Sequence, residues 1–386
     1  MTSAGEILAA EIRRNGPIPF RRFMDVALYH PQHGYYRRPF SPFGKHGDFF
    51  TAEQIQPVFG ILMAQQIRSL YHELGFPRDF TVVEMGAGRR EMADAFAEWN
   101  YLPVEIHSGA LPENFTGVVF SNEFLDALPV DVAVYQNGAF HQQCVALAED
   151  RFHWHTGEVV GATAAEYLRR YYVPAEEGCW YEVNLEALAW LRRIAAALTK
   201  GYVLTIDYGF TRAESVRFPA GTLMGYRRHA AHEHVLEEPG LRDITSHVNF
   251  TALLESGAAC GLATVRFETM AQTLLAAGKP DGFAAALGSG AATEELRRRM
   301  QLKTLLFEMG ETFRVLLQRK IGGEDEARIG EKSLEQRKRP RKPGPYSYNL
   351  FAALLQGNAQ TTSFSSEQPF SSGRLSWLRS SSIDSP

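Results

Sequence analysis

Three short clusters in this 386-residue chain have the residue types and spacing for ligand chemistry. The first is Thr81-Val82-Val83-Glu84-Met85-Gly86-Ala87-Gly88, an apolar run ending in an acid and then G-x-G. Residues lacking Cβ tolerate a sharp turn and let backbone approach a ligand closely. Arg90 stands where a third small residue would open a helix, and no GK[ST] follows, so a P-loop is excluded. Glu84 favours a cofactor with a cationic or hydroxyl-rich group over a pyrophosphate. On its own such a turn is equally a tight turn, or a nicotinamide site.

The second cluster is Ser121-Asn122-Glu123-Phe124-Leu125-Asp126-Ala127-Leu128-Pro129, after the apolar run Gly117 to Phe120. The third, Asp207-Tyr208-Gly209, ends another apolar run. Open α/β sheets place ligands outside the carboxyl ends of their strands, so neighbouring strands would bring these acids to one edge. Glu123 and Asp126 are equally suited to capping the turn that follows. His247 is a candidate to accept a proton or position a substrate, or a hydrogen-bonded structural histidine. Tyr208 and Tyr226 suit a substrate wall or aromatic packing. His229, His232 and His234 lack the Cys or carboxylate partners of a metal site, and no metal is expected.

The elements that must position these residues read as an α/β chain. Helical spacing is expected at Ala4–Arg14, Phe20–Leu28, Pro57–Leu74, Ala162–Tyr172, Leu185–Thr199, Val248–Ser256 and Glu294–Leu317. A further helix should follow the G-x-G turn. Strands are expected at Leu102–Ile106, Gly117–Ser121, Val130–Tyr135, Phe140–Leu147, Tyr202–Ile206 and Thr264–Glu268. This alternation implies a largely parallel, Rossmann-like sheet. Asn137-Gly138 between two alternating runs signals a β-hairpin insertion. The Gly/Pro/aromatic stretch before Pro57 has the character of an ordered lid loop. The expected division is an N-terminal helical cover with its loop over 1–75, a Rossmann-like domain over 76–320, and a polar, disordered tail over 321–386.

Composition narrows the class. The chain is 45% hydrophobic and 22% charged with a formal charge of −4, giving no general attraction for nucleic acid. The basic run Arg337, Lys338, Arg339, Arg341 and Lys342 lies in a Pro-rich stretch and reads as a solvated segment. No apolar run approaches the ~18 residues that span a bilayer, so no membrane insertion is expected. Cys144, Cys179 and Cys260 are widely spaced, which suits a reducing compartment, and the N-terminus lacks a secretory pattern. The expected location is the cytoplasm.

Together, the segments GPIPFRRFMDVALYHPQHGYY, GKHGDFFTAE, VVEMGAG, FSNEFLDALPVD, VLTIDYG, GTLMGYRRH and PGLRDITSHVNF resemble the MidA-like class I methyltransferases. That group includes the mitochondrial complex I assembly factor that acts on a protein arginine. The likeness runs from about residue 5 to about residue 315. It implies S-adenosylmethionine as cofactor and a protein substrate, such as a respiratory-complex subunit. Glu84, Gly86 and Gly88 match the cofactor loop; Asp48 and Thr51 match a segment covering the cofactor. Asn122, Glu123 and Asp126 match the NExxDAxP motif, where carboxylates can grip a guanidinium bidentately and orient its nitrogen. Asp207, Tyr208 and Tyr226 would then face the substrate. About thirty residues separate Gly88 from Asn122, fewer than the resemblance implies, and Glu105 is the candidate there for the ribose hydroxyls. The alternative reading keeps the fold as a weak or inactive assembly factor.

Overall fold

A computed structural model describes residues 1–38, 51–106, 109–227 and 230–320. Asp48, His229, the basic run and the tail lie outside the described residues. All described residues fall within one compact unit, Met1–Arg328.

The central sheet is built from β1 (Phe80–Met85), β2 (Asn100–Val104), β3 (Phe115–Asn122), β4 (Leu198–Phe210), β5 (Leu262–Thr269) and β6 (Phe313–Lys320). Their order across the sheet is β5-β6-β4-β3-β1-β2, and Val248–Asn249 pairs alongside the end of β4. Strands β2, β1, β3 and β4 are mutually parallel, while β6 runs antiparallel between β4 and β5. Every residue of β1 is buried, as a parallel strand covered on both faces requires. Gly117 permits the close approach of β3 to β1: a Cβ there would lie 1.8 Å from the Thr81 carbonyl oxygen.

Register aligns the functional ends. Met85 pairs with Val104 and Ser121, and Asn122 pairs with Ile206. Gly86, Glu105, Glu123 and Asp207 therefore leave the sheet along one edge. The chain runs from β1 outward to β2, then returns to the opposite side of β1 as β3. That reversal is a topological switch point, where such sheets open a crevice.

A second, five-stranded antiparallel sheet contains Ile18–Pro19, Asp131–Gln136, Ala139–Ala148, Arg151–Val159 and Trp180–Val183. Asn137 and Gly138 both take left-handed φ (53° and 79°), making the expected hairpin turn. Helices Ser3–Asn15 and Phe20–Tyr29 share a core with this sheet: Leu8, Phe20 and Phe23 pack with Val130, Val132 and Val145. A third sheet joins Met224–Arg227, Ala230–His232 and Asp243–Thr245.

Two expectations are corrected. No regular helix follows the G-x-G turn; residues 87–99 form successive turns. A return along strands of five or six residues covers ~17 Å, and an 11-residue helix is itself ~16 Å long, leaving no chain for the bends at either end. The helix expected over Glu294–Leu317 ends at Lys303 and passes through a π-helical turn, Thr304–Met309. Beyond Gly310 the chain becomes β6, where Phe313, Val315, Leu316 and Leu317 are all buried. Consecutive burial of this kind fits an inner strand flanked on both edges and does not fit a one-sided helix.

Candidate active site

The crevice at the switch point is a cavity of ≈ 680 Å³. Gly86 and Gly88 form part of its floor, Glu105 enters beyond β2, Asn122, Glu123 and Asp126 follow β3, and Tyr208 comes from β4. Thr51, Tyr226 and His247 complete the predicted residues that line it. Arg90 is not among the lining residues, although Arg89 is. Glu84 and Asp207 stand at the adjoining strand ends but are fully buried behind the lining.

Gly86 has φ 69°, and a Cβ there would come within 2.8 Å of Phe124 Cδ2, so the turn needs glycine on both counts. The Gly88 N–H donates to Glu105 Oε1 at 2.7 Å. Burial raises the Glu105 carboxyl, opposed by that N–H and by the Arg37 and Arg90 charges.

The turn after β3 is tied to several elements. Glu123 takes a left-handed φ of 50°, an uncommon conformation for a side-chain-bearing residue. Its N–H donates to the Ile206 carbonyl at 3.0 Å. Asp207 Oδ2 accepts from the N–H groups of Leu125 (3.0 Å) and Asp126 (3.3 Å), and Oδ1 accepts from its neighbour Tyr208 N–H (2.9 Å). Asn184 Nδ2 donates to the Leu125 carbonyl, and Ser246 N–H to that of Asp126. Asp207 thus acts on the backbone of the turn and does not reach the cavity.

Burial dominates the electrostatics. It pushes the Glu123 carboxyl up to about 8, with Asp126 adding to the effect, although Ala52 N–H (3.2 Å) and Asn122 Nδ2 (3.1 Å) donate to it. Asp126 rises to about 6 through burial, opposed by a hydrogen bond from the Tyr208 hydroxyl. Asp207 is raised well above the carboxylate range by burial, then by Asp126 and Glu123. Glu84 rises to about 7 through burial, opposed by hydrogen bonds from Tyr101 and with Glu53. Burial lowers His247 to about 4, with Arg217 acting in the same direction. Its ring lies edge-on to Tyr208 and Phe218, and Nδ1 has no hydrogen-bond partner among the described residues. His247 is therefore neutral at physiological pH.

Sequence reasoning did not single out Glu53, Tyr29, Tyr36 or Asp243, which also line the cavity. Glu53 and Asp243 lie within the segments TAE and PGLRDITSHVNF, but their burial, 7% and 2% exposed, is a tertiary property. Tyr36 donates to Asp243 Oδ1 at 2.9 Å.

The cavity is rich in unfilled acceptors. Among the described residues, Asn122 Oδ1 and Asp126 Oδ1 are buried without a hydrogen-bond donor. Such groups await a donor-rich, cationic ligand. An adenosyl sulfonium bearing an ammonium and ribose hydroxyls has those donors, so the residues fit it.

Comparison with known proteins agrees. A model of an S-adenosyl-L-methionine-dependent methyltransferase family matches residues 95–268. The mitochondrial protein arginine methyltransferase NDUFAF7 homolog of Drosophila melanogaster is 26% identical, over 64% of this chain and 68% of its own length. Its Caenorhabditis elegans counterpart is 24% identical, over 64% and 69%. A crystal structure from Burkholderia thailandensis, bound to S-adenosyl-homocysteine, superimposes with a TM-score of 0.75 at 31% identity, covering 82% of this chain and 92% of that one. Its fold, its cavity and these relatives make this chain a member of the MidA-like class I methyltransferases, with S-adenosyl-L-methionine as its cofactor.

Proposed function

We propose that the protein methylates an arginine side chain of a partner protein, a subunit of a respiratory complex. The carrying observation is Asp126: a buried carboxyl on the cavity wall, with one oxygen bonded by Tyr208 and the other without a hydrogen-bond partner among the described residues. The names of the fly and nematode relatives support arginine as acceptor.

Bound in the cavity, S-adenosyl-L-methionine supplies an electrophilic methyl group. Gly86 and Gly88 would present backbone to it, with Glu84 behind that loop, and Asn122 would hold its amino-acid end. Thr51 would lie over it, and Glu105, which accepts from the Gly88 N–H, would be the carboxylate for its ribose hydroxyls. Glu123 and Asp126 would receive the guanidinium in a paired geometry and orient one of its nitrogens, Glu123 giving up its proton to solvent as the cation arrives. Ionised Asp126 stabilises the charge during transfer, and the Tyr208 hydroxyl fixes which oxygen faces the acceptor. His247, neutral and buried beside Tyr208, offers a lone pair for the departing proton, while Tyr226 walls the acceptor. Asp207 serves the same site by holding the turn.

The test combines the protein, methyl-labelled cofactor and extract from cells lacking it, followed by mass spectrometry. Label on an arginine of one protein is expected. Cofactor binding without any arginine label would refute the acceptor assignment. A second reading, an assembly factor that keeps the fold without catalysis, is favoured by the irregular turns at 87–99 in place of a helix. It predicts that Asp126→Ala leaves cellular function intact. We assign the chain to the cytoplasm, where its three free cysteines stay reduced; the relatives named above are mitochondrial, and cell fractionation separates the two.

A further inference from the structure

Glu53 lies on the short 3-10 turn Ala52–Gln54, lines the cavity, and is 7% exposed. Its carboxyl is within hydrogen-bond reach of the Glu84 carboxyl at the end of β1. Two buried carboxylates side by side repel; a hydrogen bond between them requires one shared proton. The Tyr101 hydroxyl on β2 donates to Glu84 Oε2, and among the described residues no other N–H or O–H beyond the shared proton reaches Oε1 of this fully buried residue. Charges of both signs surround the pair. Glu91 and Glu123 act on Glu53, Glu91 and Glu105 act on Glu84, and Arg90 acts on Tyr101 and Glu105; Arg37, Arg38 and Arg89 also line the cavity, and Arg89 pairs with Glu91. Of the two carboxyls, Glu53 alone faces the cavity.

We infer that Glu53 is the carboxylate that meets the cationic methionine portion of the cofactor, and that the proton it shares with Glu84 leaves to solvent as the cofactor binds. No bond to carbon changes: a proton departs, and a positive charge of the ligand takes its place. Burial and the neighbouring acids favour keeping that proton on the pair in the cofactor-free protein. An arriving cation lowers the carboxyl's proton affinity, so cofactor affinity rises with pH across the neutral range. Glu84, behind Glu53, acts through it as a positioning residue. The inference rests on the cofactor alone and is independent of the acceptor.

The experiment is isothermal titration of the full chain with S-adenosyl-L-methionine at pH 7, in phosphate and in Tris, whose ionisation enthalpies differ. Wild type is expected to release close to one proton per cofactor. Glu53→Gln is expected to remove that release and to weaken cofactor binding by about ten- to a hundredfold, the loss of one charge-assisted contact. S-methyl-5′-thioadenosine, which lacks the amino-acid portion and the positive charge, serves as the folding control. It should bind wild type and Glu53→Gln equally, without proton release. Buffer-independent enthalpy in wild type would overturn the inference. So would Glu53→Gln binding the cofactor as wild type does, or weakening both ligands alike.

Discussion

Raising the pH from 6 to 8 should destabilise the cofactor-free protein, opposite to the behaviour of a protein held by surface carboxylate ion pairs. The sign follows from which state holds more protons. Glu123, Glu84 and Asp126 have folded values near 8, 7 and 6, all above their ordinary values, so the folded state keeps protons that the unfolded chain has released. Stability therefore falls as pH rises through those folded values. Integrated from pH 6 to 8, the losses are about 2 kcal/mol for Glu123, about 1 for Glu84 and less for Asp126. His247 opposes them: its folded value is near 4, so the unfolded chain binds the extra proton, and stability gains about 1 kcal/mol or less over the same window. The net loss is about 3 kcal/mol. At ~2.1 cal/mol/K per residue the compact unit Met1–Arg328 has an unfolding entropy near ~0.7 kcal/mol/K, so Tm should fall by ~4 °C. Thermal unfolding followed by circular dichroism at pH 6, 7 and 8, at constant ionic strength, reads this directly. Glu123→Gln, which is neutral throughout, should remove more than half of the slope. A Tm that is flat or rises from pH 6 to 8 would refute the assignment of buried, proton-holding acids to this cavity.

Two further outcomes follow from the geometry. Asp207→Asn keeps the side-chain shape but replaces one acceptor oxygen by an NH2 facing backbone N–H groups, so at least one of its three bonds is lost, costing about 1–3 kcal/mol in a urea denaturation series. The loosened turn should also lower kcat by about tenfold or more with cofactor Kd little changed; a fall in stability alone would reduce Asp207 to a structural residue. Gly86→Ala forces a Cβ against the Phe124 ring at a left-handed φ and should weaken cofactor binding at least tenfold, with a stability loss of about 1–3 kcal/mol; unchanged titration would show that the loop accommodates a side chain.

Much of the scaffold could be read along the chain because it rests on local regularities. The buried run of β1, the alternating pattern around Asn137-Gly138 and the helical stripe of Val58–Glu73 each carry their own period. The convergence of the turns bearing Gly86, Asn122, Glu123, Asp126 and Tyr208 also followed, since strand ends in a parallel sheet face one edge. Where local preference competed with packing, the sequence misled. Residues 89–99 have helical composition but too short a path, and Phe313–Lys320 looks like the end of a helix until two strands flank it. Tertiary structure alone separated Asp207, which accepts backbone N–H groups behind the wall, from Asp126, which lines the cavity. It alone set Glu53 against Glu84. The physical reason is that residue type fixes what an acid can do, whereas burial and neighbours fix whether it carries a proton, and those are contributed by strands and loops far apart in the chain.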